Sequence, residues 1–358
     1  MRILYVGPLW EGGTCLQRMR AMQDLGHEIV AVDTEPEYVR NKQKSLFLRV
    51  RRKLFGPPDF ANVNQHILQS IERGKIDVLW LDKALTISPK TLVTIRKISA
   101  RTLIIGYSPD DMAGKHNQSR AFLNSLPLYD VYFTTKSYGV KDLETLGVRR
   151  AIFVGNAYDP NTHRPVIISE EEKRRFGGNV GFIGDYEIER AKFIFFLAEN
   201  NIPVRIWGPN WDRKCRLSHP NLIIEGRPLW GDEYAKAICS FDINLHFLRK
   251  INRDLQTQRS VEIPACGAFM LAERTNEHLE LFEEAKETEF FDTKEELLEK
   301  IRYYLNHKEE RERIAKAGRQ RCTKSGYSYH DRLKEMLEIT KRLSPSDRDN
   351  KDYCTIRN

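Results

Sequence analysis

Short runs of apolar residues alternate along the chain with segments in which apolar residues recur every three or four positions. Between the early runs the spacing is helical, as in Val63, Ile67 and Ile71. Continuous apolar strands that alternate with amphipathic helices are typical of a parallel sheet covered on both faces. The predicted strands of the first half are residues 2–6, 28–33, 76–82, 102–108, 130–135 and 151–156.

The same alternation restarts in the second half of the chain. Its predicted strands are residues 179–184, 203–208, 222–226, 242–247 and 269–273. The chain is therefore predicted to be an α/β protein with two doubly wound, Rossmann-like domains in tandem. Ligands of such sheets bind beyond the carboxyl ends of the strands, so we expect a cleft between the two domains.

Breaks in the pattern set the predicted domain boundaries. The first domain covers residues 1–160, and the polar segment 161–178 is predicted to be a linker to the second domain, 179–327. The helix 328–343 begins with Ser-x-x-Asp and is expected to cross back to the first domain. The tail, 344–358, has no periodicity and is expected to be disordered.

The composition of the chain limits its possible cellular location and partners. No apolar run reaches the roughly 18 residues of a membrane span. The N-terminal run ends at a Gly-Pro turn, so we predict a strand there and not a signal peptide. The six cysteines form no Cys-x-x-Cys pair, which favours a reducing, cytoplasmic location without disulfides or a zinc site. The net charge of +8 favours anionic partners, among them nucleotides, phosphorylated sugars, nucleic acid and membrane surfaces.

The stretch 40–56 interleaves Lys and Arg with Leu, Phe and Val. A basic amphipathic segment of this kind can dock on an anionic membrane or on an acceptor. Its apolar residues also give a helix a face to bury on its own domain, and we favour that interpretation. Membrane contact is therefore expected to be weak.

Two pairs of residues in the first domain are candidates for ligand contacts. Gly12 and Gly13 follow the first strand and let the backbone approach a phosphate at a helix N-terminus, although an ordinary strand-to-helix turn explains them equally well. Asp110 and Asp111 follow a strand end, where a carboxylate can deprotonate an acceptor hydroxyl. The alternative for the two aspartates is a helix cap or an Asx turn.

Arg190 is a candidate of the second domain. It is predicted in the first turns of the helix that follows strand 179–184, so its guanidinium can reach a phosphate near the strand ends. The alternative is a surface ion pair with Glu187 or Glu189, which would contribute little.

Acidic and basic residues are concentrated in the segment RDLQTQRSVEIPACGAFMLAE, which begins at Arg253. Pro264 suits the first turn of a helix, so Glu262 is expected near a helix N-terminus. Arg259 beside such a start would form a diphosphate site, and Glu262 can accept two hydrogen bonds from a ribose diol. Asp254, on the preceding loop, would then meet a donor sugar. The alternative is a capping Glu with a surface Arg.

Several segments of this sequence resemble the C-terminal domain of GT-B glycosyltransferases and, more closely, the spore-maturation-protein type of glycosyltransferase-like proteins. The segments are SVEIPACGAFMLAE with the helices that follow it, NVGFIGDYEIERAKF, IWGPNW, IIEGRPLWGDEYAKAICSFDINLHF and the interdomain crossing VGNAYDPNTHRP. The Glu-Ile-Pro-Ala-Cys-Gly run is the most specific of them.

The resemblance implies roles for particular residues. Retaining GT-B enzymes carry two glutamates separated by seven residues, and the second, ahead of Ala-x-Gly, binds the nucleotide ribose. Glu262 is similar to that second residue. Asp254 stands where the first glutamate contacts the sugar, and this departure leaves the stereochemical outcome open. Gly208 and Arg227, which lie in two of the quoted segments, complete the predicted donor-binding set, whose other members are Gly12, Gly13, Arg190, Arg259 and Glu262. The family implies no metal at the reaction centre.

The sequence thus predicts a metal-independent glycosyltransferase without a further cofactor. It would move a sugar from a nucleotide sugar, in the first instance a UDP-sugar, to a hydroxyl of an unknown glycan, protein or small molecule, with Asp110, Asp111 and Asp254 as catalytic candidates. The alternative is a non-catalytic nucleotide- or sugar-binding protein of the same fold. Nucleic acid is not an expected partner, because the basic residues are spread through both domains and no nucleic-acid module is evident.

Overall fold

The computed structural model describes residues 1–40, 57–215 and 218–343. It divides into two compact units, of which the first contains residues 1–155 and the described residues from Tyr329 onward, and the second contains Asn156–Ser328. The basic stretch 40–56, apart from its first residue, and the predicted tail 344–358 lie outside the described residues. Within the described ranges, no helix combines the length and the apolar character needed to cross a bilayer.

The first unit is built on one six-stranded parallel sheet. Its strands are β1 (Arg2–Gly7), β2 (Glu28–Asp33), β3 (Val78–Asp82), β4 (Leu103–Ser108), β5 (Val131–Thr134) and β6 (Ala151–Phe153), in the spatial order β2-β1-β3-β4-β5-β6. Its helices are α1 (Thr14–Asp24), α2 (Glu37–Arg40), α3 (Val63–Arg73), α4 (Pro89–Ile98), α5 (Arg120–Ser125) and α6 (Gly139–Thr145). Four successive residues of β1, from Ile3 to Val6, are fully buried because helices cover both faces of the sheet.

The second unit repeats the plan with a second six-stranded parallel sheet. Its strands are β7 (Gly178–Ile183), β8 (Val204–Trp207), β9 (Leu222–Ile224), β10 (Phe241–His246), β11 (Met270–Glu273) and β12 (Glu289–Phe291), in the order β12-β11-β10-β7-β8-β9. Its helices are α7 (Glu170–Phe176), α8 (Ile188–Glu199), α9 (Trp211–Lys214), α10 (Gly231–Ser240), α11 (Arg259–Ala265), α12 (Asn276–Leu281), α13 (Lys294–Asn306) and α14 (Lys308–Lys324). The three-residue strand β12 was not among the predicted strands.

The segment 161–178, for which the sequence predicts a linker, packs within the second unit. It contains α7, which starts with a complete capping box between Ser169 and Glu172. Phe176 at the end of α7 is buried, and its carbonyl oxygen accepts a hydrogen bond from the Trp207 indole at 2.9 Å. The polar composition of this segment thus coexists with one apolar residue that anchors it.

The last helix, α15 (Tyr329–Lys341), belongs to the first unit, where it packs on α1. One of its faces buries Tyr329, Leu333, Met336 and Leu337, at the spacing the sequence shows. The predicted fold class is confirmed: two Rossmann-like sheets in tandem and a C-terminal helix that returns to the first.

The strand orders locate one special point in each sheet. In the second unit, β7 pairs with β8 on one side and with β10 on the other. Strands β8 and β9 are added on the first side and β10 to β12 on the second, so the strand order reverses between β7 and β10. In the first unit the same reversal occurs between β1 and β3. Loops that leave the carboxyl ends of such a strand pair diverge and open a crevice for ligands.

Candidate functional site

Arg190 lies at the switch point of the second unit. Its two terminal nitrogens donate hydrogen bonds to the carbonyl oxygens of Asp185, which follows β7, at 3.1 Å, and of Phe247, which follows β10, at 3.2 Å. The side chain is only 3% exposed. Arg190 therefore bridges the two loops that flank the crevice and is not the surface partner of a glutamate. Glu187 is paired with Arg249 instead, at 2.8 Å.

Arg259 is the first residue of α11 and brings a second positive charge to the same region. Its guanidinium makes no hydrogen bond or ion pair with any described residue, and its Nε is buried. The Nε of Arg190 is likewise buried without a partner in the described ranges. Burial, and after it the charges of Arg259 and Arg249, lower the pKa of Arg190 to about 10. The site is thus a crowded cluster of cations that lacks a carboxylate for Arg259.

Glu262 stands one turn further along α11 and is 5% exposed. Its Oε2 accepts a hydrogen bond from the Tyr234 hydroxyl on α10 at 2.7 Å, and its Oε1 lies 3.6 Å from Nε2 of His163. Burial, followed by the Glu262 charge, raises the pKa of Tyr234 well above its ordinary value, so the phenol stays a donor. Sequence reasoning missed Tyr234 and His163, because neither is close to Glu262 in the sequence.

The prediction that Pro264 occupies the first turn of its helix is wrong. Helix α11 begins at Arg259, so Pro264 is its sixth residue. Its missing N–H removes one hydrogen bond to the Ser260 carbonyl, and the helix ends one residue later, where Gly267 donates to the Pro264 carbonyl at 2.8 Å. Glu262 nevertheless lies in the first turn, as expected.

Gly208 and Arg227 are placed by local contacts. Gly208 has a φ of +151°, and a Cβ there would lie 1.9 Å from the Gly184 carbonyl oxygen, so only glycine lets the loops after β7 and β8 approach each other. The exposed Arg227 forms an ion pair with Glu233 at 2.8 Å and lies 4.8 Å from the centroid of the Trp207 ring. Arg227 is thus already neutralised by a neighbour, in contrast to Arg259.

Asp254 follows the short 3₁₀ helix Lys250–Asn252 on the loop between β10 and α11. It is 6% exposed, and its backbone N–H donates to the Arg249 carbonyl at 3.2 Å. The structure therefore gives Asp254 a fixed place on the loop that leads from the switch point to Arg259.

The four candidates of the first domain all lie in the first unit. Gly12 has a φ of +80°, and Gly13 is the N-cap of α1. Asp110 forms an ion pair with Lys83, which follows β3. Asp111 is 1% exposed, and its Oδ1 accepts a hydrogen bond from the Gly114 N–H at 3.1 Å. The turn predicted as the alternative is thus present at Asp111.

The switch point of the first unit holds charges that sequence reasoning did not single out. Nε of Arg18 on α1 donates to Oδ2 of Asp82, the last residue of β3, at 2.7 Å, and neither side chain is more than 1% exposed. The Tyr5 hydroxyl also donates to Asp82. This position is therefore neutralised by the protein itself, whereas Arg190 and Arg259 are not. Across the described part of the chain, no group of His, Cys, Asp and Glu is arranged to hold a metal ion.

Comparisons with known proteins agree with this architecture. Residues 190–338 match the model of a family described as glycosyl transferase-like. Over 96% of this chain, the fold is similar to HepE of Anabaena solved with UDP and glucose (13% identity, all of that chain, TM-score 0.63). It is similar over the same share to sucrose-phosphate synthase of Thermosynechococcus elongatus (10% identity, 99% of that chain, TM-score 0.64). No protein among those with curated functions matches the chain.

A further solved structure with this fold is an α-glucosyltransferase in complex with UDP and a 13-mer DNA (13% identity, 96% of this chain and 99% of that chain, TM-score 0.63). HepE has also been solved with UDP-glucose. The two Rossmann-like units and the returning helix give this chain the GT-B fold, and its residues 190–338 are similar to a glycosyl transferase-like family. The suspected resemblance to that fold is confirmed.

Proposed function

We propose that this chain transfers a glycosyl group from a UDP-sugar to an acceptor hydroxyl, and that the second unit binds the donor. One observation carries the proposal: Arg190 and Arg259 meet at the switch point of the second unit, and the Arg259 guanidinium has no anionic partner among the described residues. The family match begins at Arg190, so both arginines lie within the matched segment.

Electrostatics favours a diphosphate as the missing partner. Removing a cation from water costs several kcal/mol unless an opposite charge compensates it. Burial lowers the pKa of Arg190 to about 10 in spite of the nearby Glu187 charge, so its ionised form is compensated only in part. A diphosphate supplies two negative charges and several acceptor oxygens, and guanidinium groups bind such oxygens in bidentate fashion. In transfer, the same contacts would stabilise the departing UDP.

Glu262 supports the nucleoside part of the proposal. A carboxylate beside a helix N-terminus can accept hydrogen bonds from both hydroxyls of a ribose. Tyr234 already donates to Oε2, so it fixes the carboxylate while leaving acceptor capacity on both oxygens. We assign Glu262 to the ribose, Arg190 and Arg259 to the diphosphate, and Asp254 to the transferred sugar.

The other predicted residues receive weaker roles in this proposal. Gly208 is assigned to the shape of the donor loops, and Arg227 to the periphery of the site, because Glu233 already pairs with it. In the first unit, Gly12 and Gly13 keep their predicted donor-binding role, in which the backbone at the start of α1 would approach a phosphate. Asp110 is the better candidate for an acceptor-side base, because the Oδ1 of Asp111 is engaged in its own turn.

The experiment is calorimetric titration of the chain with UDP-glucose, UDP and uridine, followed by an assay for slow hydrolysis of UDP-glucose. Arg259→Ala should weaken UDP-glucose binding about ten- to a hundredfold, since hydrogen bonds to charged groups contribute about 1.5–3 kcal/mol. Uridine binding should change much less. Arg313→Ala is the matched control, because Arg313 is an exposed arginine of α14 in the same unit. Equal losses for uridine and UDP-glucose would contradict the assignment.

Metal independence and the nature of the acceptor are part of the proposal. If no metal is needed, UDP-glucose hydrolysis should persist after EDTA treatment. The acceptor is sought with a panel of sugars, peptides and lipids that carry hydroxyl groups, and a substrate among them should accelerate UDP release. The DNA in the α-glucosyltransferase complex belongs to that protein. For this chain we propose that a duplex oligonucleotide neither binds nor accelerates UDP release.

A non-catalytic nucleotide-binding protein is the second candidate. Asp254 favours this second candidate. Its side chain is shorter than the glutamate that retaining GT-B enzymes present to the sugar at the matching position. Tight UDP-glucose binding without hydrolysis, and without transfer to any acceptor of the panel, would establish this candidate instead.

A further inference from the structure

Three polar side chains form a fully buried chain at the end of β10. His246 is the last residue of β10, Ser260 is the second residue of α11, and His278 lies on α12. None of the three has any exposed surface. The Ser260 hydroxyl lies 3.1 Å from Nε2 of His246 and 2.8 Å from Nε2 of His278. Buried polar groups are costly unless their hydrogen bonds are complete, so the protons of this chain can be assigned.

The assignment begins at His278. Its Nδ1 lies 2.7 Å from the Glu273 carbonyl oxygen, which can only accept, so Nδ1 carries the proton. A neutral His278 then has a bare Nε2, and the Ser260 hydroxyl must donate to it. Burial lowers the pKa of His278 to about 4, in agreement with a neutral ring at neutral pH.

The remaining contacts of Ser260 fix the other histidine. Its oxygen accepts from the Thr257 backbone N–H at 2.9 Å, and its proton is already given to His278. His246 must therefore donate from Nε2, which leaves its Nδ1 bare. That Nδ1 is buried and no described residue accepts a hydrogen bond from it, which agrees with a bare nitrogen. Burial above all, together with the positive charges of Arg259 and Arg190, lowers the pKa of His246 well below its ordinary value.

This chain continues into the backbone that carries Arg259. Nε2 of His246 also lies 3.3 Å from the Thr257 hydroxyl, and that hydroxyl accepts from the Arg259 backbone N–H at 3.2 Å. The Ser260 N–H donates to the Thr257 carbonyl at 3.1 Å. The Thr257 and Ser260 hydroxyl oxygens, which accept from backbone N–H groups of this turn, thus both lie against Nε2 of His246.

We propose that His246, Ser260 and His278 are positioning residues of the donor site, whose one-directional hydrogen-bond chain holds the turn 257–260 so that Arg259 faces the diphosphate. The proposal rests on the proposed function. It differs from a purely structural role in one respect. Loss of the hydrogen-bond chain should impair diphosphate binding more than nucleoside binding, because Arg259 is displaced and the nucleoside contact is not.

The test compares UDP-glucose with uridine as ligands. Ser260→Ala should weaken UDP-glucose binding by about tenfold, since a displaced Arg259 loses a hydrogen bond to a charged group. Uridine affinity should change less than about twofold. His278→Gln keeps an acceptor for the Ser260 hydroxyl and should retain UDP-glucose affinity, whereas His278→Leu should lose it.

Thr288→Val is the matched control, because the Thr288 hydroxyl is 1% exposed and donates to the Met270 carbonyl at 3.0 Å, outside this chain. It should lower the melting temperature without changing UDP-glucose affinity. A loss in Ser260→Ala that is equal for uridine and UDP-glucose, or a loss in Thr288→Val of the same size, would overturn the proposal.

Nitrogen-15 NMR of the imidazole rings at neutral pH decides the proton assignment independently of binding. We expect the Nδ1–H tautomer for His278 and the Nε2–H tautomer for His246, each assigned from its Gln variant. The opposite tautomer at either histidine would refute the proposed direction of the hydrogen-bond chain. A wild-type protein that binds neither UDP-glucose nor uridine would refute the proposed function and the positioning role with it, even if the NMR spectra show the expected tautomers.

Discussion

At the scale of single residues, the two units treat a buried arginine in opposite ways. Arg18 is fully buried and is matched by Asp82, so the first unit neutralises the charge itself. Arg190 is almost as buried, but its terminal nitrogens contact only carbonyl oxygens, and its neighbour Arg259 adds like charge. The pair of Arg18 and Asp82 stabilises the fold. The two arginines of the second unit would instead be stabilised by a bound anion. This contrast is why we assign the donor to the second unit.

Glu262→Gln tests the ribose assignment. Glutamine keeps the size of the side chain and one oxygen that can accept from Tyr234, so the fold should survive. A charged acceptor is lost, and hydrogen bonds to charged groups contribute about 1.5–3 kcal/mol, so affinity for UDP and uridine should fall about ten- to a hundredfold. Calorimetric titration beside melting curves measures both effects. Unchanged affinity with a lowered melting temperature would show that Glu262 serves only the Tyr234 contact.

The buried histidines predict how stability depends on pH. The pKa of His278 is about 4 in the folded chain, against about 6.5 in the unfolded chain, so the unfolded state binds the proton first. The free energy of unfolding is therefore highest above pH 6.5 and falls as the pH drops toward 4. For His278 alone the loss between pH 6.5 and pH 5 should be about 1.5 kcal/mol.

Urea titrations at several pH values measure this loss, and His278→Gln should remove its share. The pKa of Glu296 is held at about 2 chiefly by Arg274, so its contribution is lost only below about pH 4.5. His246 and His27, whose pKa values are also lowered, act in the same direction and remain in the variant. An identical pH slope in wild type and His278→Gln would refute the prediction.

At the scale of elements, the ion pair between α1 and β3 is expected to be a major tie of the first unit. Removing one partner of a buried pair leaves an uncompensated charge and costs about 3–5 kcal/mol. Asp82→Asn should therefore lower the free energy of unfolding of the first unit by about that amount, as measured by urea denaturation. Arg20→Ala is the control on the same helix, because its ion pair with Glu11 is exposed and is worth about 1 kcal/mol or less. Equal effects of the two changes would contradict this account.

The same scale shows what the sequence could and could not predict. Long apolar strands such as β3 and β4 are evident, because burial on both faces leaves a continuous apolar run. The short strand β12 has only three residues, too few for a periodicity to emerge. Helix α11 was expected, but its start was misplaced, since a proline marks a first turn only by frequency and is tolerated close to a helix end.

Contacts between distant parts of the sequence were the hardest to foresee. Arg259 and Glu262 could be proposed as site residues because helix starts bind anions wherever they occur. The Tyr234 hydroxyl that fixes Glu262, and the histidines around Ser260, come from other elements and leave no local signal. The polarity of segment 161–178 suggested a linker, but the buried Phe176 and the partly buried Val166 pack in the core of the second unit.

At the scale of the whole molecule, the returning helix makes the first unit discontinuous in sequence. Residues 1–155 form its sheet, and α15 covers α1 only after the chain has completed the second unit. The phenol of Tyr329 at the start of α15 accepts from Arg18 at 3.3 Å, so the helix also reaches the buried ion pair. The second unit, by contrast, is continuous from Asn156 to Ser328.

Truncation after Ser328 tests this topology. It removes four large buried side chains of α15, each worth about 1.5–3 kcal/mol of burial, or about 6–12 kcal/mol together. A unit of this size is stable by about 5–15 kcal/mol, so the first unit should unfold or nearly so. The second unit loses none of its own elements and should keep its cooperative transition and its affinity for UDP-glucose, while any transfer to an acceptor is lost.

Calorimetric scanning, limited proteolysis and UDP-glucose titration would measure these outcomes. A chain ending at Leu343 keeps α15 and serves as the control, with the wild-type transitions expected. The protease should release a resistant fragment close to 156–328 from the shorter chain. Loss of UDP-glucose binding upon truncation would place the donor contacts outside the second unit, because α15 contributes only to the core of the first unit in the described structure.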